Sequence, residues 1–470
     1  MYSLFILIPL FSVIVLNLPF RKTMQTAAYW WALALAATQV CLVLLFFADH
    51  AFSAQFAAVS TFLKFNLHAD YISRVMLLCI GMAMFVTLMS AKQIIRAPEK
   101  LFNFANLLLI ALMGMNGVAL VTDIFSLYVF IEVVAASSFI LIAFDKEKLA
   151  LEAAFKYIIL SAVASAMMLS AIALLMLVSG DTGFGAINAA LNNSTHTPLV
   201  NLAIGIFICA LFIKGGLMPF HGWLPDAYSA APAPVSVLLA GVVTKVVGIY
   251  ALARIMVSVI GFANPLREVL LLIGAASIVF GALAALGQQD FKRMLAYSSI
   301  SQVGYIIIGL GCATPIGIFG AIFHLFNHSV FKSTLFINSA AVEMQSGTRD
   351  MDRMGGLASR MPVTGATSVI SFLSAAGIPP LAGFWSKFII VVALWIAGYY
   401  WYAVIGLLAG TITLAYFLSL QRRVFFGKLK QEFAQIKEAG PGLVLPMLIL
   451  GAITIAVGLG FPFILSQLKF

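Results

Sequence analysis

Five ionisable side chains stand where such groups are rare. Lys214, Lys245, Lys332 and Lys387 lie inside long apolar stretches, and so does Glu132, in VTDIFSLYVFIEVVAASSFILIAF. His324, His328 and Lys332 recur every fourth residue in HLFNHSVFKS. That spacing stacks side chains a turn apart on one helical face. Amines, imidazoles and carboxylates exchange protons, and a row of them hands a proton along. A charged side chain at bilayer depth costs roughly 2.5–3.5 kcal/mol even on the mildest scale. Glu132 and the four lysines, unpaired and dry, would cost on the order of 10–15 kcal/mol together, which equals the whole stability of a typical protein. They must be paired, neutral or hydrated. A chain of waters and polar groups that meets this need also conducts protons.

Each group has a competing role. Glu132 is either the ion-pair partner of a buried lysine, Lys214 first, or a neutral carboxyl bonded to a neighbouring helix. Lys245, in TKVVGIY, either titrates in a buried site or snorkels toward an interface. Lys387, in AGIPPLAGFWSKFII, is the last site before an exit or a snorkelling lysine. His324 and His328 relay protons or hold structural hydrogen bonds, with Ser329 and Thr334 beside them to hold bridging waters. A metal would need a third ligand, and none is suggested nearby. His221 and Asp226 form either an entrance or a structural turn. Asp70 and Arg74 read as a local pair one turn apart.

The elements that must position these groups are membrane spans. The chain has 470 residues, 63% hydrophobic and 9% charged, with a mean hydropathy of +1.07. Soluble domains of this size do not look like that. Apolar runs of about 17–25 residues recur from end to end. They predict an all-α polytopic membrane protein with about fourteen spans. These lie near 2–19, 28–48, 71–91, 103–120, 123–143, 153–179, 199–219, 233–256, 266–286, 294–312, 316–341, 364–395, 400–422 and 443–466. The first run lacks a basic leader and a cleavage site before Arg21, so it reads as a helix and not a signal peptide. Residues 61–67 alternate enough to predict a short hairpin outside the membrane.

Two spans are broken. The seventh ends at Gly215, Gly216 and Pro219, and the twelfth is interrupted at Gly377, Pro379 and Pro380. The text Gly216-Leu-Met-Pro-Phe-His-Gly-Trp223 echoes Gly377-Ile-Pro-Pro-Leu-Ala-Gly-Phe384 five spans later, and Phe155-Lys156 echoes Phe331-Lys332. An odd shift inverts the second copy. The expected division is therefore 1–102, a first repeat over 103–257, an inverted second repeat over 258–422, and a last helix over 423–470. Eighteen Lys and Arg residues fall on loops after odd-numbered spans and five on the other side. This places the first side in the cytoplasm and both termini outside, in an inner membrane.

Four scattered cysteines without a C-x-x-C argue against iron–sulfur or zinc ligation. No glycine-rich nucleotide loop follows a strand. The net charge of +10 sits in short loops and signals no nucleic acid. No cofactor, redox centre or catalytic site is expected in this chain.

The stretches KGGLMPFHGWLPDAYSAAPAPVSVLLAG (214–241), TKVVGIYALAR (244–254), MLAYSSISQVGY (294–305) and HLFNHSVFKSTLF (324–336) resemble the antiporter-like subunit family. That family covers the N-, M- and L-type membrane subunits of respiratory complex I, the equivalent subunits of group 4 membrane-bound hydrogenases, and the large subunits of Mrp Na⁺/H⁺ antiporters. The wording of 219–254 is nearest to the Mrp D and hydrogenase branches. The resemblance implies fourteen helices with inverted five-helix repeats. It implies that Glu132 and Lys214 form the pair at the input, that Lys245 is the central lysine, that His324 and His328 connect the halves, and that Lys387 is the exit. It implies partners as well: other membrane subunits, with an iron–sulfur, hydrogenase or NADH-type peripheral arm in the redox-driven branches, and Na⁺ as an open second cargo. The reading from another class is an independent secondary transporter of a small solute coupled to H⁺ or Na⁺.

Overall fold

The computed structural model describes residues 2–18, 25–48, 67–193 and 198–467. Apart from two short helices, Phe184–Asn193 and Trp223–Ala230, the chain order is α1 (Leu4–Leu16), α2 (Gln25–Ala48), α3 (Tyr71–Ile94), α4 (Pro98–Leu120), α5 (Ile124–Ile142), α6 (Lys148–Ser179), α7 (Pro198–Gly215) and α8 (Ala233–Ile260). There follow α9 (Asn264–Leu286), α10 (Phe291–Gly311), α11 (Pro315–Ser346), α12 (Pro362–Ala376), α13 (Ala382–Ile396), α14 (Tyr400–Phe425) and α15 (Pro441–Gln467). Eleven of these are long and apolar enough to cross a membrane, while α1, α12 and α13 are shorter apolar helices. The fold is all-helical and polytopic. Among the described residues, extended backbone pairs only in isolated bridges such as Leu67 with Val121 and Asp290 with Asp350. The rest of the expected 61–67 hairpin lies outside the described residues.

Local chemistry sets the helix ends. Asp70, Asp123, Asp290 and Thr314 accept from the backbone N–H three residues on and cap α3, α5, α10 and α11. Proline opens α4, α9, α11 and α12, where its missing N–H costs nothing. The two expected breaks are present. Gly216 and Gly377 both take positive φ, +65° and +85°, which frees the chain to leave the helix.

Helices sort by how much of them is covered. The most apolar window of α8 is wholly buried and that of α10 is 94% buried, against 28% for α2 and 33% for α6. The most buried of them, α8 and α10, carry Lys245 and Ser298. From Asn327 to Val342 every residue of α11 is buried. Close approach depends on glycine at one crossing above all. A Cβ on Gly248 of α8 would collide with the backbone of Gly215 at the end of α7. The helix that bears Lys245 can therefore lie directly against the helix that bears Lys214.

Candidate functional site

The end of α7 holds Lys214 against α5 and α6. Its Nζ lies 2.8 Å from Glu132 Oε1 and donates to Ser161 Oγ at 2.7 Å and Ser165 Oγ at 3.1 Å. Ser165 Oγ donates in turn to the same Glu132 oxygen at 2.6 Å. The lysine is 1% exposed, whereas the glutamate side chain is 33% exposed. Beyond Lys214 the freed backbone is taken up locally. Leu217 N–H donates to Phe212 O, Gly216 N–H and Trp223 Nε1–H donate to Ile213 O, and Met218 N–H donates to Ser277 Oγ. Trp223 stacks on Tyr157, with ring centroids 4.2 Å apart.

Lys245 lies in the middle of α8 at 0% exposure, so it does not snorkel. Here the helix widens into π turns over Leu239–Val243 and Lys245–Tyr250. Single π turns inside α-helices recur at functional sites. Lys245 Nζ donates to Ala240 O, makes a 3.3 Å contact with Thr244 Oγ1, and faces the Tyr228 ring. Among the described residues it has no acidic partner.

His324, His328 and Lys332 descend α11, all at 0% exposure. His324 Nδ1 shares a 2.9 Å hydrogen bond with Ser386 Oγ of α13, and its Nε2 has no partner among the described residues. Neither ring nitrogen of His328 has one there. Lys332 Nζ donates to Leu295 O at 3.0 Å and to Ser298 Oγ. Thr334 donates into its own helix, to Val330 O. Lys387, on α13, reaches back across the second break. It donates to Ala375 O at 2.7 Å, lies 4.2 Å from the Tyr305 ring centroid and is 7% exposed, which again rules out snorkelling. Glu132, Lys245, His324, His328, Lys332 and Lys387 stand part-way along their helices, whereas Lys214 lies in the last turn of α7.

Asp226 sits at the rim of the Lys/Arg-rich face, 2.9 Å from Lys156 and 2.6 Å from Arg293, beside a cavity of about 240 Å³. Burial pushes its carboxyl up, but the two cations pull further and hold it below the usual range. His221 packs edge-on against Phe280, and burial lowers its imidazole. The two are not in one cluster.

Three sequence assignments need correction. Asp70 takes the guanidinium of Arg254, 184 residues away, at 2.6 and 2.9 Å, so a local pair with Arg74 misses its main partner. Arg254 and Lys292, counted as loop charges, are 5% and 2% exposed, and Lys292 pairs with Glu343 at 2.8 Å. The Phe155-Lys156 echo does not put its lysine in an equivalent setting, because Lys156 is half-exposed at the rim and Lys332 fully buried. The sequence also missed Ser161, Ser165, Ser298 and Ser386, the neutral partners of the charged groups. The i, i+4 spacing of Ser161 and Ser165 in α6 was a usable signal.

A family profile described as NADH:quinone oxidoreductase/Mrp antiporter, TM, matches residues 121–413, a range that contains every deep group from Glu132 to Lys387. The chain belongs to this family. It is 34% identical over 396 residues to the D-type subunit of the Na⁺/H⁺ antiporter of Alkalihalophilus pseudofirmus, covering 83% of this chain and 80% of that one. It is 34% identical over 379 residues to the N-type subunit of the NADH-quinone oxidoreductase of Desulforudis audaxviator, covering 77% and 75%. A chain in the structure of the Mrp complex from Dietzia sp. superposes with a TM-score of 0.87 at 25% identity, over 99% of this chain and 95% of that one. Antiporter-like subunits of this family are integral membrane proteins, as the apolar helices here require.

Proposed function

We propose that this chain translocates protons as one subunit of a larger energy-converting membrane complex. The proton enters at the Lys/Arg-rich face near Lys214 and loads Lys245. It then passes through His328 and His324, with Lys332 alongside, and leaves by Lys387. The Glu132–Lys214 pair is the gate. While it is closed, the carboxylate stabilises the ammonium, and opening it removes that stabilisation and sends the proton inward. The observation that carries this reading is the contrast in partners. The four deep lysines, Lys214, Lys245, Lys332 and Lys387, are 0–7% exposed, yet of these only Lys214 has a carboxylate among the described residues, and the other three rest on carbonyl and hydroxyl oxygens. Neutral oxygens hold an ammonium and also tolerate the amine it leaves behind, which is what a transfer site needs.

The same reading takes the architecture as fourteen crossings: the eleven long helices, α1, α11, and α12 with α13 as one broken span. Two inverted five-helix units over 103–257 and 258–422 would set the two breaks about the middle of the bilayer. Both termini would lie outside an inner membrane. The chain has no energy source of its own in this reading, so it needs partners. These are sister membrane subunits of the kind that the Mrp and oxidoreductase relatives have, with or without a redox arm, and Na⁺ is a second cargo to be measured.

Two measurements test it. The complex is purified gently through a tag on this chain, and its proton pumping is followed in vesicles with a pH-sensitive dye. Co-purifying membrane subunits and pumping that is lost in Lys245→Met support the proposal. A lone chain that transports a solute by itself in liposomes, or a Lys245→Met complex that pumps normally, overturns it.

A further inference from the structure

One buried polar surface has no place in the route just described. Along α12 the residues Thr364, Thr367, Ser368, Ser371 and Ser374 return every three or four positions and so share one helical face. All five are 0–2% exposed. The face begins at Glu438, a half-exposed residue of the Lys/Arg-rich connection between α14 and α15. Glu438 accepts from Thr364 Oγ1 at 2.6 Å and from the N–H of Val363 at 2.7 Å. It ends at the second break. There Ser374 Oγ accepts from Gly383 N–H, and Ala375 O, one residue on, accepts from Lys387 Nζ.

Two amides dock on this face with one end each. Asn338 Nδ2 donates to Thr364 O and Thr367 Oγ1, and Gln421 Nε2 donates to Ser368 Oγ at 2.6 Å. Their other ends, Asn338 Oδ1 and Gln421 Oε1, have no partner among the described residues, and neither has Ser371 Oγ. Asn338, Gln421 and Ser371 are all fully buried. Buried polar atoms are nearly always satisfied, and where protein does not do it ordered water does. Three such atoms along one hydroxyl-lined helix mark a row of water sites. The helix paired with α12 by the Gly216–Gly377 echo is α7, and its corresponding positions are Ala203, Ile206, Phe207, Ala210 and Ile213, with no hydroxyl among them.

We propose that the hydroxyl face of α12 is a second aqueous access, running from Glu438 to Lys387. It supplies water to Lys387 from the Lys/Arg-rich face. The proposal rests on the reading that this chain carries protons, but its test does not. Cysteines are placed singly at Thr367, Ser368 and Ser371 in the assembled complex, with Cys41, Cys79, Cys209 and Cys312 replaced. Membrane vesicles of either orientation are exposed to silver ion, a thiol reagent small enough to follow water. Gln435→Cys, in the same connection as Glu438, marks the face that carries it. Ala203→Cys and Ala210→Cys on α7 serve as buried controls.

The expected result is that all three α12 thiols react from the face that labels Gln435→Cys, at least about tenfold faster than the α7 controls, because accessible thiols react and inert buried ones do not. Reaction from the opposite face only, or rates no faster than the controls, overturns the access. If Ser371→Cys does not assemble, Thr367→Cys and Ser368→Cys decide between the same outcomes. Loss of the pumping proposal would appear instead in Lys245→Met, so the two can fail separately.

Discussion

The two broken helices close their backbones alike but surround them with different side chains. At the first break the backbone closes on itself, and Trp223 takes up the carbonyl of Ile213. Lys214 is then free to face a carboxylate on another helix. At the second break the backbone closes in the same pattern, Gly377 N–H on Ser374 O and Ile378 N–H on Leu373 O, and charged and polar side chains are added to it. Lys387 covers Ala375 O, and Asn327 donates to Ala382 O at 3.0 Å. Ala375 is the position that corresponds to Lys214. An ammonium thus stands near the same point of both breaks, supplied by the helix before it in one case and by the helix after it in the other. The first is locked by an opposite charge, and the second by a carbonyl dipole and the face of the Tyr305 ring. A buried pair broken from one side leaves a costly lone charge, whereas a lysine on neutral oxygens leaves only an unmade hydrogen bond.

This contrast can be broken at several points. The largest effect belongs to the lysine between the halves. Lys245→Met should cut dye-detected pumping by at least about tenfold. Apolar residues of similar volume in place of buried charge are often neutral or stabilising, so the melting midpoint of the complex should hold or rise. Pumping that survives would mean the halves are not joined through α8.

Next in size are the two lock variants. Glu132→Gln removes the partner of a buried ammonium and should destabilise the complex by about 1–3 kcal/mol, read from its thermal midpoint. Glu132→Asp should restore part of that. Lys387→Met, which frees one carbonyl, should cost only about 1 kcal/mol while still lowering pumping. Equal destabilisation by the two would erase the distinction between a charge lock and a dipole lock.

A steric version leaves the charges in place. Gly222 and Gly383 correspond in the echo, yet a Cβ on Gly222 meets nothing within 4 Å, while one on Gly383 would strike the Ser374 carbonyl. Gly383→Ala should cost about 1–3 kcal/mol by overpacking, and Gly222→Ala should stay within about 0.5 kcal/mol. If both are silent, the second break is looser than its contacts imply.

The smallest effect is on pH dependence. Burial raises the Asp70 carboxyl, but Arg254 and Ser73 hold it low overall. A carboxyl held low in the folded state contributes stability that is complete above its unfolded value of about 3.9 and is lost as pH falls through the lower folded value. The midpoint of the detergent-solubilised complex should therefore drop between about pH 4 and pH 3, and the Asp70→Asn variant should show a shallower drop. Identical slopes would mean that Arg254 does not depend on this pair.

Much of this was legible in the chain. The apolar runs, the two Gly–Pro breaks and the charged residues inside the runs stand out because hydrocarbon penalises each exception heavily. The Glu132–Lys214 contact followed from the need of each charge for another. What stayed hidden were the neutral partners. Serines and threonines are too common in helices to signal by type, and the hydroxyl face of α12 becomes visible only once the amides of Asn338 and Gln421 are seen to dock on it by one end. Arg254 and Lys292 were misplaced because a charge near the end of an apolar run reads as loop, while tertiary partners such as Asp70 and Glu343 let a helix carry it inward.

Lys245, His328 and Lys332 all sit near the middles of their helices, and this has an electrical consequence. A unit charge crossing the whole membrane works against about 2.3 kcal/mol for every 100 mV of potential. On the proposed route, moves from Lys245 to His328 and on to Lys387 would run mostly sideways, along surfaces of nearly equal voltage. The field therefore acts almost entirely on the two vertical legs, the one that reaches the file and the one that leaves it. Membrane potential should slow loading and release while leaving transfer between the halves nearly indifferent to it.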